Sequence, residues 1–232
     1  MKIMKVVILA GGLGSRLSEY TKSIPKPMVK VLKVPIIVRI INFYKKFGYE
    51  DFVIAGGYKG RIIKDYFRKN LKTLKIQVIN TGQKTMTGGR IKRLKKILNG
   101  KRFLLTYGDG LSDVNINSLL KFHIKNKNYV TLTAVRPQAR FGGIKISNKK
   151  VKYFKEKSNL DEGWINGGFF VMEPEIFNYL KNDDTVLERS PLEKICKLRK
   201  LGAYKHNGFW QCMDTIRDKK ILENLIKKRI FK

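Results

Sequence analysis

Residues 6–30, VVILAGGLGSRLSEYTKSIPKPMVK, constrain what this chain can fold into more than any other segment does. An apolar run rich in β-branched residues leads into a glycine-rich turn, and Arg16 and Lys26 follow. A turn with little side chain exposes consecutive backbone N–H groups, which form a concave site for anions. With two cations close by, the segment predicts a strand whose end binds the phosphates of a nucleoside triphosphate.

Two common phosphate-binding motifs do not fit this segment. A Walker A loop requires Gly-Lys before Ser or Thr, whereas this chain has Gly14-Ser15-Arg16. A dinucleotide fingerprint requires a third glycine where this chain has Leu17. A plain strand-to-loop turn is the structural alternative. Pro25-Lys26-Pro27 argues against it, because the prolines keep the lysine out of a helix and on a stiff support.

Further motifs follow in order along most of the chain. They are Thr87-Gly88-Gly89-Arg90, Tyr107-Gly108-Asp109-Gly110, Glu156-Lys157, Gly163-Trp164-Ile165-Asn166-Gly167-Gly168 and Phe209-Trp210-Gln211-Cys212-Met213-Asp214-Thr215. Together with the first segment, this ordered set resembles the sugar-phosphate nucleotidyltransferase family. That family has a pattern close to L-A-G-G-x-G-[ST]-R-L, then T, then P-K-P-M, near its N-terminus.

The resemblance implies transfer of a nucleotidyl group to a sugar phosphate, with release of pyrophosphate and with Mg²⁺ as the cofactor. The wording of residues 85–90, TMTGGR, is typical of members that use CTP. The implied substrates are therefore CTP and α-D-glucose 1-phosphate, and the implied product is CDP-glucose. Two alternatives stay open. One is the same reaction with UTP, dTTP or GTP or with another sugar phosphate, and the other is a basic binding module whose nucleotide site has decayed.

The glycine-rich turn and the loop at residues 81–90 are the candidates for nucleotide binding. Arg16 resembles the group that neutralises the leaving β- and γ-phosphates, and Lys26 the group that reaches the α-phosphate. With Asp109, these two are the expected catalytic residues. Gly88 is expected to let the base approach the backbone. The full nucleotide-binding set is Leu9, Ala10, Gly11, Gly12, Gly14, Ser15, Arg16, Lys26, Thr81, Gly88 and Gly108.

Asp109 and Asp214 are the candidate metal ligands. Asp109 follows a predicted strand between two glycines that leave room for a phosphate and its metal. Carboxylates combined with phosphate oxygens suit the octahedral oxygen coordination of Mg²⁺. Asp109 has the alternative of a turn residue, and Asp214 that of a helix N-cap. The family resemblance favours the metal role for both, with Asp113 as the nearest wrong choice.

The later motifs are the candidates for the sugar phosphate. By resemblance, Lys157 holds the phosphate and Glu156 bonds sugar hydroxyls, although Ser158 stands where the family has proline. The complete sugar-phosphate set is Phe141, Gly142, Glu156, Lys157, Asn166 and Gly167. Phe141 stands where relatives have a tyrosine, so the hydroxyl that the resemblance would place near the sugar is missing.

Short apolar runs alternate with amphipathic segments over the first 135 residues, which is typical of an α/β fold. Strands are predicted at residues 5–10, 52–55, 76–80, 103–107 and 129–135. Helices are predicted where apolar residues recur at a spacing of three and four, at residues 36–47, 60–71, 90–98 and 115–126. Ligands bind beyond the carboxyl ends of parallel strands, and the motifs after the first four strands fall there.

The pattern changes after Pro137. Residues 142–147, 151–155 and 169–172 predict a meander over the sugar side of a cleft, and helices are predicted at 174–180, 191–199 and 215–228. We expect one domain over residues 1–232, with a nucleotide-binding part at 1–135 and a sugar-binding and C-terminal helical part at 136–232. The resemblance implies a Rossmann-like three-layer sandwich with a mostly parallel mixed sheet.

The net charge of +32 is extreme. Its lysines are scattered over every segment and form no single patch, so we expect no specific nucleic-acid partner. No apolar run approaches the ~18 residues of a membrane span, so no membrane partner is expected. Cys196 and Cys212 lack the spacing of a zinc site or a disulfide framework, which favours the reducing cytoplasm. The resemblance implies a homo-oligomer, and His123 is expected at the surface or the rim of the site.

Overall fold

Strands and helices alternate along the chain. The computed structural model describes residues 4–70, 74–137, 143–155 and 163–228. Within these ranges the strands are β1 Val6–Ala10, β2 Lys30–Val31, β3 Val34–Pro35, β4 Asp51–Gly56, β5 Lys75–Asn80, β6 Phe103–Tyr107, β7 Gly110–Ser112, β8 Val130–Val135, β9 Gly143–Ser147, β10 Lys150–Lys155, β11 Ile165–Met172, β12 Leu201–His206 and β13 Trp210–Cys212.

The helices in the same ranges are α1 Ser18–Thr21, α2 Ile36–Lys45, α3 Gly60–Asn70, α4 Thr87–Arg93, α5 Lys95–Leu98, α6 Ile116–Lys125, α7 Ser190–Lys197 and α8 Ile216–Lys227. Short 3₁₀ helices occupy Ser15–Leu17, Lys26–Met28 and Pro174–Tyr179. None of the described helices is long and apolar enough to cross a membrane.

Seven strands form a central sheet in the order β12-β8-β11-β6-β1-β4-β5. β1 lies in parallel between β4 and β6, and β4 pairs in parallel with β5. β8 and β12 also run parallel to each other. β11 is antiparallel to both of its neighbours, β6 and β8. The sheet is therefore mixed and mostly parallel, as predicted.

Helices cover both faces of this sheet. Alternate residues of β1 point into two separate hydrophobic cores, with Val6 and Ile8 in one and Val7 and Leu9 in the other. The first core includes side chains of α2, α3, α6 and α8, and the second includes those of α4, α5 and α7. Each residue of β1 is at least nine-tenths buried, which explains why the strand has no polar alternation.

The structure confirms the five strands and four helices predicted before residue 136, with ends that move by a few residues. The helix predicted at 90–98 begins earlier, at Thr87, and divides at Leu94 into α4 and α5. Residues 169–172 form a strand as predicted, but its place in the meander was wrong. They belong to β11, between β6 and β8 of the main sheet, whereas the other two predicted meander strands, β9 and β10, pair with each other outside that sheet. The helix predicted at 174–180 is a 3₁₀ helix.

His123 was also predicted wrongly. Its side chain is only 1% exposed, and it faces β8 from α6. Nδ1 lies 2.8 Å from Thr131 Oγ1, and Nε2 lies 3.0 Å from Glu173 Oε1. His123 follows the buried Leu119 by four residues and the buried Ile116 by seven, and residues at these spacings share one side of a helix, which explains the burial.

The two parts of the chain divided at residue 135 share the central sheet. β11 comes from the second part but lies between β6 and β8 of the first. This interleaving supports the single-domain interpretation, which stays a prediction. Cys196 and Cys212 are free thiols, so no disulfide links the parts of the chain that the structure describes.

Candidate active site

The glycine-rich turn begins where β1 ends. Gly14 has φ of 67°, a left-handed conformation that favours glycine, and its carbonyl accepts the N–H of Leu17 to start a 3₁₀ helix. Gly11 has a different reason for being glycine. A Cβ at this position would collide with the guanidinium of Arg90, which lies directly against the turn.

Arg90 joins three loops at the carboxyl edge of the sheet. Its guanidinium donates to the carbonyl of Gly11 after β1, at 2.9 Å. It also donates to the Gly56 carbonyl at the end of β4, at 3.3 Å, and to Thr81 Oγ1 and the Gly82 carbonyl after β5, at 2.8 and 2.7 Å. Burial lowers the pKa of Arg90. Because these acceptors are neutral oxygens, the cation adds positive charge beneath the turn without forming an ion pair through these contacts.

Four charged side chains meet in front of the turn. Lys26 Nζ lies 2.6 Å from Asp109 Oδ2 and 2.6 Å from Asp214 Oδ1. Arg16 donates to the other oxygen of Asp214 at 2.8 Å. Burial disfavours the charge of Lys26, but Asp109 and Asp214 outweigh this and raise the pKa of its ammonium above the ordinary value. The cluster holds two cations and two carboxylates from segments up to 198 residues apart.

Local backbone structure fixes both carboxylates. Asp109 lies between β6 and β7, and its carbonyl accepts the N–H of Met213 at 2.9 Å, which links it to the segment of Asp214. The cap of α8 is Thr215, in a reciprocal capping box with Asp218. The N-cap role considered for Asp214 therefore belongs to Thr215, and the Asp214 carboxylate binds Lys26 and Arg16.

A cavity of about 320 Å³ opens beside this cluster. Most of the residues predicted for the nucleotide and the metal line it, together with six others. The predicted residues are Leu9, Ala10, Gly11, Gly12, Gly14, Ser15, Arg16, Lys26, Gly108, Asp109 and Asp214, and the others are Pro27, Thr85, Met86, Thr87, Arg90 and Tyr107.

Thr81 and Gly88 are not among the residues lining this cavity. Thr81 is fully buried and donates to the Gly56 carbonyl at 2.7 Å. A Cβ at Gly88 would meet Thr185 at 2.8 Å, so this glycine permits close packing against the turn before α7. The residues of the 81–90 loop that line the cavity are instead Thr85, Met86, Thr87 and Arg90.

The residues predicted for the sugar lie partly beyond what the structure describes. Phe141, Gly142, Glu156 and Lys157 fall outside the described residues. Asn166 Nδ2 lies 3.2 Å from the Tyr107 hydroxyl, so it adjoins the cavity lining. The carbonyl of Gly167 accepts from Trp210 Nε1 at 2.7 Å.

Sequence reasoning missed Glu188, which contacts two residues of the cavity wall. Tyr107 donates its hydroxyl to Glu188 Oε1 at 2.5 Å, and Thr87 donates to Oε2 at 2.7 Å. Burial and the neighbouring Glu188 carboxylate raise the pKa of Tyr107, so this hydroxyl keeps its proton. No motif around Glu188 indicated its place.

The donor set suits a single metal ion supported by substrate. Asp109 and Asp214 already converge on one cation, the ammonium of Lys26. Among the described residues, no group of three or more His, Cys, Asp or Glu side chains could hold a metal. Two protein carboxylates leave most coordination positions to other oxygens, which is how Mg²⁺ binds with phosphates. Cys212 lies nearby, but burial raises the pKa of its thiol to about 11, so it is a poor nucleophile.

A parallel-sheet edge with a glycine-rich turn, paired cations and two carboxylates suits a protein that binds nucleoside phosphates together with a metal ion. The chain belongs to the nucleotidyl transferase family, which matches residues 5–211. This confirms the resemblance identified from the motifs, and proteins of this family transfer a nucleotidyl group.

Individual proteins of this family and of known structure show how similar this chain is to its relatives. The chain is 41% identical to glucose-1-phosphate cytidylyltransferase of Salmonella typhi, over 97% of this chain and 96% of that protein. It is 38% identical to a probable glucose-1-phosphate cytidylyltransferase of Bacillus subtilis (strain 168), over 93% of each. A solved UDP-glucose pyrophosphorylase in complex with UDP-glucose has a TM-score of 0.76 at 19% identity, over 98% of this chain and 100% of that one. That likeness confirms the predicted fold class.

Proposed function

We propose that this protein transfers a cytidylyl group from CTP to α-D-glucose 1-phosphate, forming CDP-glucose and pyrophosphate. One observation carries the proposal. Arg16, Lys26, Asp109 and Asp214 meet beside a cavity walled by the turn after β1. The names of the relatives that cover nearly the whole chain support the choice of CTP and glucose 1-phosphate.

The chemistry requires two anions to approach each other. A phosphate oxygen of glucose 1-phosphate attacks the α-phosphorus of CTP, and the bond from that phosphorus to the β-phosphate oxygen breaks. The protein contributes chiefly by positioning the reactants and neutralising their charge. In our proposal Arg16, which is 73% exposed, turns to the leaving phosphates, and Lys26 on its proline support reaches the α-phosphate.

Mg²⁺ is the proposed cofactor, and Asp109 and Asp214 are its proposed ligands. When bound there, it would supply positive charge to the phosphate oxygens of CTP. Lys26 lies between the same two carboxylates, so its ammonium holds them together before the substrate binds. This arrangement keeps the like-charged Asp109 and Asp214 side chains in place for the ion.

The remaining roles follow the two sides of the cavity. We propose that backbone of the turn after β1 cradles the triphosphate and that residues 85–87 face the base, with Thr81 and Gly88 shaping the loop behind them. On the sugar side we propose Asn166 and Gly167, together with Phe141, Gly142, Glu156 and Lys157. We also propose that the protein works in the cytoplasm, where both substrates are made, and as a homo-oligomer.

Pyrophosphate release tests this function. The purified protein is assayed with Mg²⁺ and glucose 1-phosphate against CTP, UTP, dTTP, ATP and GTP, with reactions lacking the sugar phosphate as the blank. We expect turnover to be strongest with CTP. Preference for another nucleotide would discard the base assignment and keep the reaction. Silence with every nucleotide and with a panel of other sugar phosphates would refute the proposal.

A further inference from the structure

Glu188 connects the two sides of the cavity. It lies between Leu187 and the start of α7, at an exposed position on the cavity rim. One carboxylate oxygen accepts from Thr87, on the loop proposed to face the base, and the other accepts from Tyr107, next to Gly108 and Asp109. The side chain of Glu188 thus bonds one residue on each side of the cavity wall, Thr87 and Tyr107.

The hydrogen bonds around Glu188 have a fixed direction. A carboxylate only accepts, so the hydroxyl protons of Thr87 and Tyr107 both point toward it. The Thr87 oxygen in turn accepts the N–H of Leu187 at 2.9 Å. Because the single proton of Tyr107 is directed to Glu188, its oxygen can only accept from Asn166, which lies 3.2 Å away.

This direction agrees with the way in which the Asn166 amide points. The amide places Nδ2 toward Tyr107 and Oδ1 toward the N–H of Gly168, at 2.9 Å. An asparagine amide has two N–H groups and two carbonyl lone pairs, and these bonds take one of each. If the proton of Tyr107 pointed toward Asn166, the amide would lose one of its two bonds: it would either turn over and lose the bond to Gly168, or stay in place and lose the bond to Tyr107.

We propose that Glu188 is a positioning residue, which sets the Tyr107 proton and thereby the amide orientation that Asn166 presents to the sugar phosphate. This inference rests on the proposed function, because it concerns the sugar side of the same reaction. Glu188 contacts Tyr107 and acts on Asn166 through it, so this role does not require Glu188 to touch substrate.

Glu188→Gln tests the inference because it preserves the shape of the side chain but replaces one of its two accepting oxygens with a donating amide nitrogen. If the glutamine oxygen accepts from Thr87, its amide nitrogen faces Tyr107 and favours the turned-over Asn166. We expect KM for glucose 1-phosphate to rise roughly three- to tenfold, the effect of one lost hydrogen bond, while KM for CTP stays within about twofold. Tyr107→Phe should have a similar effect, and the double variant should be no worse than the poorer single one.

Glu193→Gln is the matched control, because Glu193 is exposed on the neighbouring helix α7 and lies outside the cavity. A second readout needs no turnover. In protein carrying ¹³C at the ring carbon bonded to the tyrosine hydroxyl, the resonance absent from Tyr107→Phe belongs to Tyr107. It should shift in Glu188→Gln and stay in place in Glu193→Gln.

The outcomes separate this inference from the function on which it rests. An inactive wild-type protein refutes the proposed function, and this inference falls with it. With an active wild type, an unmoved Tyr107 resonance or an unchanged KM for glucose 1-phosphate in Glu188→Gln overturns the positioning role alone. Equal increases in both KM values, or additive effects in the double variant, would indicate a general structural role and overturn it too.

Discussion

The two edges of the central sheet carry similar charged side chains in different surroundings. At the carboxyl edge, Lys26 and Arg16 pair with Asp109 and Asp214 beside an open cavity. At the amino edge, where β6 begins and β11 ends, Glu173 accepts from Arg102 at 2.5 Å and lies 3.0 Å from His123. Both clusters join cations to carboxylates from distant segments.

The difference lies in what surrounds each cluster. The polar atoms of His123 and Thr131 are taken up by one another, by Glu173 and by Asn128, which donates to Thr131 at 3.1 Å. Asp109 instead lines an open cavity of about 320 Å³. The open cavity leaves a charged group at the carboxyl edge room to exchange a protein partner for a ligand, whereas the polar atoms of His123 and Thr131 form a closed hydrogen-bonded network.

Asp109→Asn should have the largest effect at the carboxyl edge. It removes a negative charge without changing volume, so the variant should weaken binding of the proposed Mg²⁺ while the side chain still fits. We expect turnover to fall at least about a hundredfold, and the midpoint of thermal unfolding to move by only a few degrees. The pyrophosphate assay and a thermal melt measure the two quantities.

Asp113→Asn is the control, because Asp113 lies four residues away with a side chain 51% exposed and pairs with His206. It should keep turnover within about twofold of wild type. Wild-type activity in Asp109→Asn would mean that the metal assignment is wrong.

Glu173→Gln should show the opposite pattern at the amino edge. The variant keeps the shape but loses the charge that Arg102 and His123 bond. We expect the free energy of unfolding to fall by about 1–3 kcal/mol, measured by urea denaturation, with both KM values unchanged. A large change in KM with unaltered stability would contradict the division between the two edges.

The network around His123 should also make the free energy of unfolding depend on pH, with a smaller effect than that of Glu173→Gln. Burial lowers the pKa of His123, with Arg102 acting in the same direction and Glu173 opposing. As pH falls below about 6.5, the unfolded chain therefore takes up a proton that the folded state resists. Stability should be full above that pH and decrease below it, by at most about 1.4 kcal/mol per pH unit.

Urea denaturation between pH 7 and 5.5 measures this slope, above the range in which the carboxylates titrate. His123→Asn should flatten it. An unchanged slope in His123→Asn would assign the effect to another group.

Local pattern was enough to predict the strands at the centre of the sheet. β1, β4 and β6 are apolar because they are buried on both faces, so their sequences stand out from their surroundings. β12 lies at the sheet edge with a half-exposed sequence, LGAYKH, and its pattern did not indicate a strand. The antiparallel position of β11 in the sheet depends on its pairing with β6, and a local sequence pattern does not show which strand a segment pairs with.

The same limit applied to the site. Arg16 and Lys26 were predictable because they follow the glycine-rich turn in one contiguous segment. Glu188 meets Tyr107 across 81 residues and belongs to no motif, so only the folded chain identifies it. His123 could have been predicted as buried from its spacing to Ile116 and Leu119 on α6.

Arg90 has a consequence for anyone who would transplant the turn after β1 into another protein. Its guanidinium reaches the Gly11 carbonyl from 79 residues further along the chain and also grips the loops after β4 and β5. Residues 6–30 moved alone would carry the glycines and both cations but would lose the hydrogen bonds from Arg90. The smallest unit to transfer is therefore the ends of β1, β4 and β5 together with α4, which carries Arg90. The linear motif is only one of the segments that form the turn in the folded chain.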